Sequence, residues 1–243
     1  MNIDNYQKNG WIKIEKFIQS NQVKEIKKQI KNFLDKNYRK YENRHINFVN
    51  NEKKAKEINS FHKLDDCAWI RNFSKNKRMT EVVKKLLNTK SFKLRQAEYF
   101  AKPMRKGLAA PDHQDNFFWN LNDSNAITIW IALSKSNKKN GGIHYYNSSH
   151  NFGIFKHKKS YMKGTSQTIK DRKFLKKFLK LYPSLKMGDA LIHHSLIVHG
   201  SKENKSNNSR RGVTFQYITK KAKVNMNKKK KYEKKLFEQI KKR

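Results

Sequence analysis

From Ser91 to Thr219 the chain is a succession of short apolar segments with turn residues between them, and that spacing admits few folds. The segments are Phe92–Phe100, Ile127–Leu133, Ile143–Tyr146, Ala190–Val198 and Gly212–Ile218. Runs of this length, rich in β-branched and aromatic residues, read as strands. Several of them with turns between point to an antiparallel sandwich or jelly roll. In the first, Phe92, Leu94, Gln96, Glu98 and Phe100 fall on one face and Lys93, Arg95, Ala97 and Tyr99 on the other. Gln and Glu among aromatics suit the wall of a polar cavity, so Gln96 is a candidate wall residue, with an ordinary surface glutamine as the alternative.

Ahead of the strands the period is helical. Val23, Ile26, Ile30, Phe33 and Leu34 recur at helical spacing between Asn21 and Tyr38, and Ser20 or Asn21 can cap the start. A second helix is expected over Asn76–Leu87, with Met79, Val82, Val83, Leu86 and Leu87 on one side; both stripes read as core. Gly10 precedes a short strand, Trp11–Ile14, and residues 39–62 read as irregular. Pro103, Gly107 and Pro111 mark Lys102–Asp112 as a loop. Phe155–Pro183 reads as an insertion with a helix around Asp171–Leu181, lying either over a pocket mouth as a lid or behind the sheet. One domain is expected over residues 1–219, with a helical part over about 1–90 and a β core over about 91–219. Residues 220–243 read as a lysine-rich tail, solvated, and helical from about Tyr232.

Composition bears on partners. Lys and Arg number 57 against 19 Asp and Glu, a net charge of +38. The lysines are scattered through every segment, which favours solvated faces over a dedicated docking surface. A polyanion- or nucleic-acid-binding protein with a vestigial metal site is the alternative reading. The single cysteine, Cys67, excludes an intrachain disulfide and fits a reducing compartment. The first residues lack the apolar core of a signal peptide, and the longest apolar run, Ala126–Leu133, is too short to span a bilayer. A cytoplasmic protein without a membrane span, monomeric or homodimeric, is expected.

Between two of the strands lies Pro111-Asp-His113-Gln-Asp115-Asn-Phe-Phe-Trp119. In extended backbone residues i and i+2 point the same way, so His113 and Asp115 can approach one metal ion from one side. Mixed nitrogen and oxygen donors suit a borderline divalent metal better than Ca²⁺ or Mg²⁺. The third donor is expected to be His199, at the end of an apolar run. Two histidines and a carboxylate on one face of an ion make the facial triad of non-haem Fe(II) oxygenases, with positions left open. Arg210, just before the last strand, could fork onto a carboxylate of a bound co-substrate. Phe117, Phe118, Trp119, Tyr145 and Tyr146 could wall a substrate site or fill the core, and His150 is a further candidate at that site.

The ordered set of motifs resembles the phytanoyl-CoA dioxygenase family of Fe(II)- and 2-oxoglutarate-dependent oxygenases. It runs from Tyr6-Gln-Lys-Asn-Gly10-Trp-Ile-Lys-Ile14 through His113-Gln-Asp115, Trp119, Ile127–Leu133, Asn140-Gly-Gly142 and Ser148-Ser-His150. It ends with Gly188-Asp189 and His199-Gly-Ser-x-x-Asn204-x-Ser206 to Arg210. The resemblance implies a mainly β fold with flanking α: a double-stranded β-helix (jelly roll, cupin-like) with N-terminal helices packed on the sheet. It implies Fe(II) on His113, Asp115 and His199, 2-oxoglutarate as co-substrate and O₂ as oxidant, with ascorbate needed in vitro. Hydroxylation of a C–H bond of a small molecule, with release of succinate and CO₂, is the implied reaction; an anionic substrate would suit the net charge. Family spacing favours Arg210 over Arg211 for the far carboxylate, and Gln114 and Trp130 occupy positions that line the co-substrate pocket in relatives. Asp115 stands where related halogenases carry a small residue, which argues for hydroxylation. A metal cupin that is not an oxygenase is a third possibility, against which Arg210 speaks.

Overall fold

The computed structural model describes residues 1–241. In chain order the elements are α1 (Ile3–Asn9), β1 (Trp11–Ile14), α2 (Ser20–Asn37), β2 (Ile46–Phe48), β3 (Ile58–Phe61), α3 (Ala68–Phe73), α4 (Lys77–Leu86), β4 (Phe92–Lys102) and β5 (Ala110–His113). They continue with α5 (Asp115–Trp119), β6 (Ala126–Ala132), β7 (Ile143–Tyr146), β8 (His157–Met162), β9 (Thr165–Ile169), β10 (Lys180–Leu181), β11 (Ala190–His194), β12 (His199–Ser201), β13 (Arg210–Thr219) and α6 (Met226–Ile240).

Two antiparallel sheets face each other in a double-stranded β-helix. The major sheet has the order β1-β11-β6-β13-β4-β3-β2, the minor one β10-β7-β12-β5, and β8–β9 form a separate hairpin. Helices back the major sheet: Val23, Ile26 and Ile30 of α2 and Met79 and Val83 of α4 share one core with Phe215 and Tyr217 of β13. Each such side chain, fully buried, stabilises the fold by roughly 1.5–3 kcal/mol. A smaller core between the sheets contains Trp130, Tyr145 and Leu191. The chamber described below opens beside it.

The structure departs from the sequence expectation at several places, each with a physical cause. Residues 39–62 are not wholly irregular: β2 and β3 extend the major sheet, with Ser60 and Phe61 pairing Phe100 and Tyr99. Strands of three and four residues are too short to carry a period. The part before residue 90 therefore adds three strands as well as helices. Residues 155–183 do not interrupt the β pattern. They form the β8–β9 hairpin, and β10 joins the minor sheet through Lys180↔Tyr146 and Leu181↔Tyr145. The helix expected around Asp171–Leu181 is a 3₁₀ turn, Phe174–Lys177. Pro183 disfavours helical backbone at the residue before it, and strand pairing takes the segment instead. The run Ala190–Val198 breaks at Ser195, where the chain turns (Ile197 N to His194 O, 3.0 Å) and crosses from the major sheet to the minor one.

Strand β4 is also irregular. Gln216 pairs with Gln96 but Tyr217 pairs with Leu94, so Arg95 is the extra residue of a bulge. A bulge reverses the facing of everything beyond it. Phe92 and Leu94 pack on the helical core, while Gln96, Glu98, Phe100 and Lys102 line the chamber between the sheets. The tail helix starts at Met226 rather than near Tyr232. It is not simply solvated: Tyr232, Leu236 and Ile240, four residues apart, form a wall of the chamber. Residues 242 and 243 of the expected tail lie outside the described residues.

Candidate metal centre and its chamber

Three elements bring the expected donors together. His113 ends β5, Gln114 is extended (φ −119°, ψ 133°) and Asp115 opens α5, so the i, i+2 relation survives the change of element. His199 begins β12 and pairs directly with His113 across the minor sheet. One donor atom from each of His113, Asp115 and His199 lies within 4.8 Å of the others. Asp115 Oδ1 is 3.7 Å from His113 Nε2 and 3.6 Å from His199 Nε2. Neighbouring donors around an octahedral ion with ~2.1 Å bonds sit ~3 Å apart, so a small inward movement would satisfy a single cation.

The hydrogen bonds behind these atoms fix what they present. His113 Nδ1 lies 2.7 Å from Pro111 O, and His199 Nδ1 3.1 Å from Ile197 O. A carbonyl only accepts, so each Nδ1 carries the proton and each Nε2 lone pair faces Asp115. Asp115 Oδ2 is turned away from the triad: the Thr128 hydroxyl donates to it at 2.7 Å and His193 Nε2 at 3.1 Å. His193 is itself held by Tyr145, whose hydroxyl is 2.9 Å from Nδ1. Burial works against a charge on Asp115, yet the imidazoles of His199, His113 and His193 hold its carboxyl well below the usual range. Burial keeps His199 well below the ordinary imidazole value. A carboxylate and neutral imidazoles are the protonation states a cation requires.

The donors open into a cavity of about 340 Å³. At one end Arg210 of β13 and Lys102 of β4 stand opposite each other in register. Arg210 is 2% exposed and Lys102 4%. Among the described residues Arg210 donates only to Gly141 O, from Nε at 3.3 Å and Nη2 at 3.0 Å, and it lies over the Trp130 ring at 5.2 Å. Lys102 Nζ donates to Ser201 Oγ at 2.7 Å and to Lys202 O. Among the described residues neither has a carboxylate at ion-pair distance. Burial lowers the Arg210 guanidinium to about 10, and burial together with the Arg210 charge holds the Lys102 ammonium well below its usual value. Arg211 is exposed, so Arg210 is the member of the pair that points inward. Gly212 allows this packing, because a Cβ there would lie 2.0 Å from Trp130 Cζ2.

Of the remaining candidates, Gln96, Trp130, Phe118 and Trp119 line the chamber. Three do not. Gln114 is fully buried on the other side of its strand, donating to Gly153 O and Leu196 O and accepting from Phe155 N. The extended backbone that aligns His113 with Asp115 turns the residue between them away. Phe117 stacks on His157 at 3.9 Å, against the β8–β9 hairpin. His150 packs beside the turn after α1, with Nε2 2.9 Å from Gln7 O. Lys102, Arg95 and His193 were not among the sequence candidates, because a strand end, a bulge and a chain reversal respectively decide where they point.

The sequence model of the family described as phytanoyl-CoA dioxygenase (PhyH) matches residues 6–212. Among curated proteins, the chain is 27% identical over 176 residues to "Phytanoyl-CoA dioxygenase 1" of Oryza sativa subsp. japonica, covering 68% of this chain and 60% of the relative. It is 26% identical over 144 residues to "Phytanoyl-CoA dioxygenase domain-containing protein 1" of Danio rerio, covering 58% and 50%. The chain thus spans between half and three fifths of these relatives' lengths. Similar solved structures include EctD from S. alaskensis with 2-oxoglutarate and 5-hydroxyectoine (TM-score 0.73, 19% identity, 89% of this chain and 74% of that one). Another is the non-heme alpha ketoglutarate dependent carbocyclase SnoK (TM-score 0.71, 16% identity, 91% and 84%). At such identities these two show the shared jelly-roll fold.

Proposed function

Because the chain belongs to the phytanoyl-CoA dioxygenase family, we propose that it is an Fe(II)- and 2-oxoglutarate-dependent dioxygenase that hydroxylates a C–H bond of a small molecule. The overall change would be substrate, O₂ and 2-oxoglutarate to hydroxylated substrate, succinate and CO₂. His113, Asp115 and His199 would hold the metal, which would supply the redox chemistry when bound. His193 and Thr128 keep the second oxygen of Asp115 occupied, so that one oxygen faces the ion. Trp130 and the neighbouring apolar walls exclude water.

The observation that carries this reading is the Lys102–Arg210 pair. Like charges directly opposite on adjacent strands are destabilising, and two buried cations without a counter-ion are more so. The arrangement makes sense as a receptor for a dicarboxylate whose other end reaches the donors. A guanidinium binds a carboxylate through two parallel hydrogen bonds, and the ammonium adds a point charge. The reading is tested by equilibrium dialysis of 2-oxoglutarate against Mn(II)-loaded protein. Binding that falls at least tenfold in Arg210→Gln and in Lys102→Gln supports it; unaltered binding in both variants refutes it.

A further inference from the structure

Arg95 is a further cation on the chamber wall, and among the described residues it too has no carboxylate at ion-pair distance. Its guanidinium lies over the Trp119 ring at 5.0 Å. Nη1 donates to Gln216 Oε1 at 2.6 Å and to Gln96 Oε1 at 3.0 Å, while no described residue accepts from Nε or Nη2. The bulge in β4 puts it there, since regular alternation would have turned Arg95 toward the helical core. Bulges that re-aim a side chain are enriched beside active sites.

Its position separates it from the co-substrate end. Gln216, its partner, pairs in register with Thr128, the residue that holds Asp115. Arg210 lies six residues from Gln216 along β13, roughly 20 Å of strand. A molecule chelated at the triad and anchored on Arg210 extends away from Arg95. Arg95 therefore flanks the metal donors on the side left free.

Charge favours an anion in that space. The chamber's carboxylates are Asp115 and Glu98. Glu98 is already engaged by His62 Nδ1 at 2.7 Å, Gln96 Nε2 at 3.1 Å and Gln216 Nε2 at 2.8 Å. With a divalent ion, a dianionic co-substrate and neutral histidines in place, the lining cations Arg44, Lys63, Arg95, Lys102, Lys163 and Arg210 still leave the chamber positive, and Arg95 is the one bonded to Gln216 beside the donors. Size restricts the ligand further. A cavity of about 340 Å³ that must also hold the co-substrate is at the low end of the ~300–1,000 Å³ typical of ligand pockets. Tyr232 of α6, hydrogen-bonded to Ser166 at 3.1 Å, and Leu236 wall this side.

We propose that Arg95 anchors a carboxylate of the substrate, so that this chain acts on a small carboxylic acid at a C–H bond near its acid group. The inference deepens the oxygenase reading and rests on it. The test uses anaerobic protein loaded with Fe(II) and 2-oxoglutarate. Straight-chain monocarboxylates from propionate to octanoate, and the matching primary amides, are titrated in, and binding is read from the visible chelate band and from tryptophan fluorescence. At least one acid should bind tenfold or more tighter than its amide. Arg95→Gln should abolish that preference and Arg95→Lys should retain part of it, with both variants checked for an unaltered thermal midpoint. Equal binding of acids and amides, no acid binding, or a preference that survives Arg95→Gln overturns the proposal. Loss of the chelate band in wild-type protein before any acid is added overturns the oxygenase reading instead, and fluorescence still decides whether Arg95 holds acids.

Discussion

His193 shows how far a single side chain's role can sit from its place in the sequence. Six residues before His199, it would share a face with that residue on a continuous strand, yet it reaches Asp115 only because the chain reverses at Ser195. Its role is to position Asp115. Partners that orient metal ligands are typically worth 10–100-fold in metal affinity. His193→Phe should therefore weaken Co(II) binding by roughly that factor in a spectroscopic titration, with the fold intact. Lys102 makes a sharper prediction, because two readouts should move in opposite directions. Lys102→Gln removes one of two facing buried cations, so the protein without co-substrate should gain up to ~1 kcal/mol while 2-oxoglutarate binding weakens. A simple packing role would lower both. His113 and Asp115 were legible in the sequence from their short spacing, and His199, far along the chain, only from the ordered set of motifs around it. Lys102 was not, since it ends a strand and begins a Pro-containing loop, with nothing local to say which way it points.

At the scale of elements, the sequence revealed strands and helices long enough to show a period and missed those that tertiary pairing creates. Strands β2 and β3 exist because β4 offers them an edge. The β4 bulge is invisible to an alternation count, which is why Arg95 was placed on the wrong face. The β8–β9 hairpin and the end of β11 each hold a half-buried histidine, and this has a consequence in acid. Burial lowers His157 to about 4, with the neighbouring His113 adding to it, and burial with His150 and His193 lowers His194 to about 4. Between pH 4 and 6.5 the unfolded chain therefore binds protons that the folded chain does not, so stability rises with pH across that window. Each group should contribute roughly 1–3 kcal/mol that is fully present above pH 6.5 and lost as pH falls toward 4. Urea midpoints measured at pH 4, 5.5 and 7 should rise in that order, and His157→Phe should flatten the dependence. For α6, Leu236→Asp places a charge on the chamber wall; its effect should fall on substrate-dependent succinate release, leaving metal affinity within about twofold, because no metal donor lies on that helix.

Across the whole molecule, the jelly roll supplies a rigid frame and the open end between its sheets supplies the chemistry. Among the described residues no helix is long and apolar enough to cross a membrane. The net charge of +38 is carried largely by scattered lysines, and the inner stripe of the lysine-rich α6 is taken up by the chamber wall. Any DNA binding should then be non-specific and steeply salt-dependent, vanishing by physiological ionic strength and indifferent to His113→Ala. The fold class was legible from the spacing of apolar runs, whereas the chamber's basic lining was not, because it depends on which residues two sheets turn toward each other. The central claim is that His113, Asp115 and His199 meet at one ferrous ion chelated by 2-oxoglutarate, and its most direct test is an anaerobic absorption spectrum. Fe(II) and 2-oxoglutarate added to the purified protein should produce a visible charge-transfer band that is absent from His113→Ala. No band in the wild type, or the same band in the variant, would contradict it.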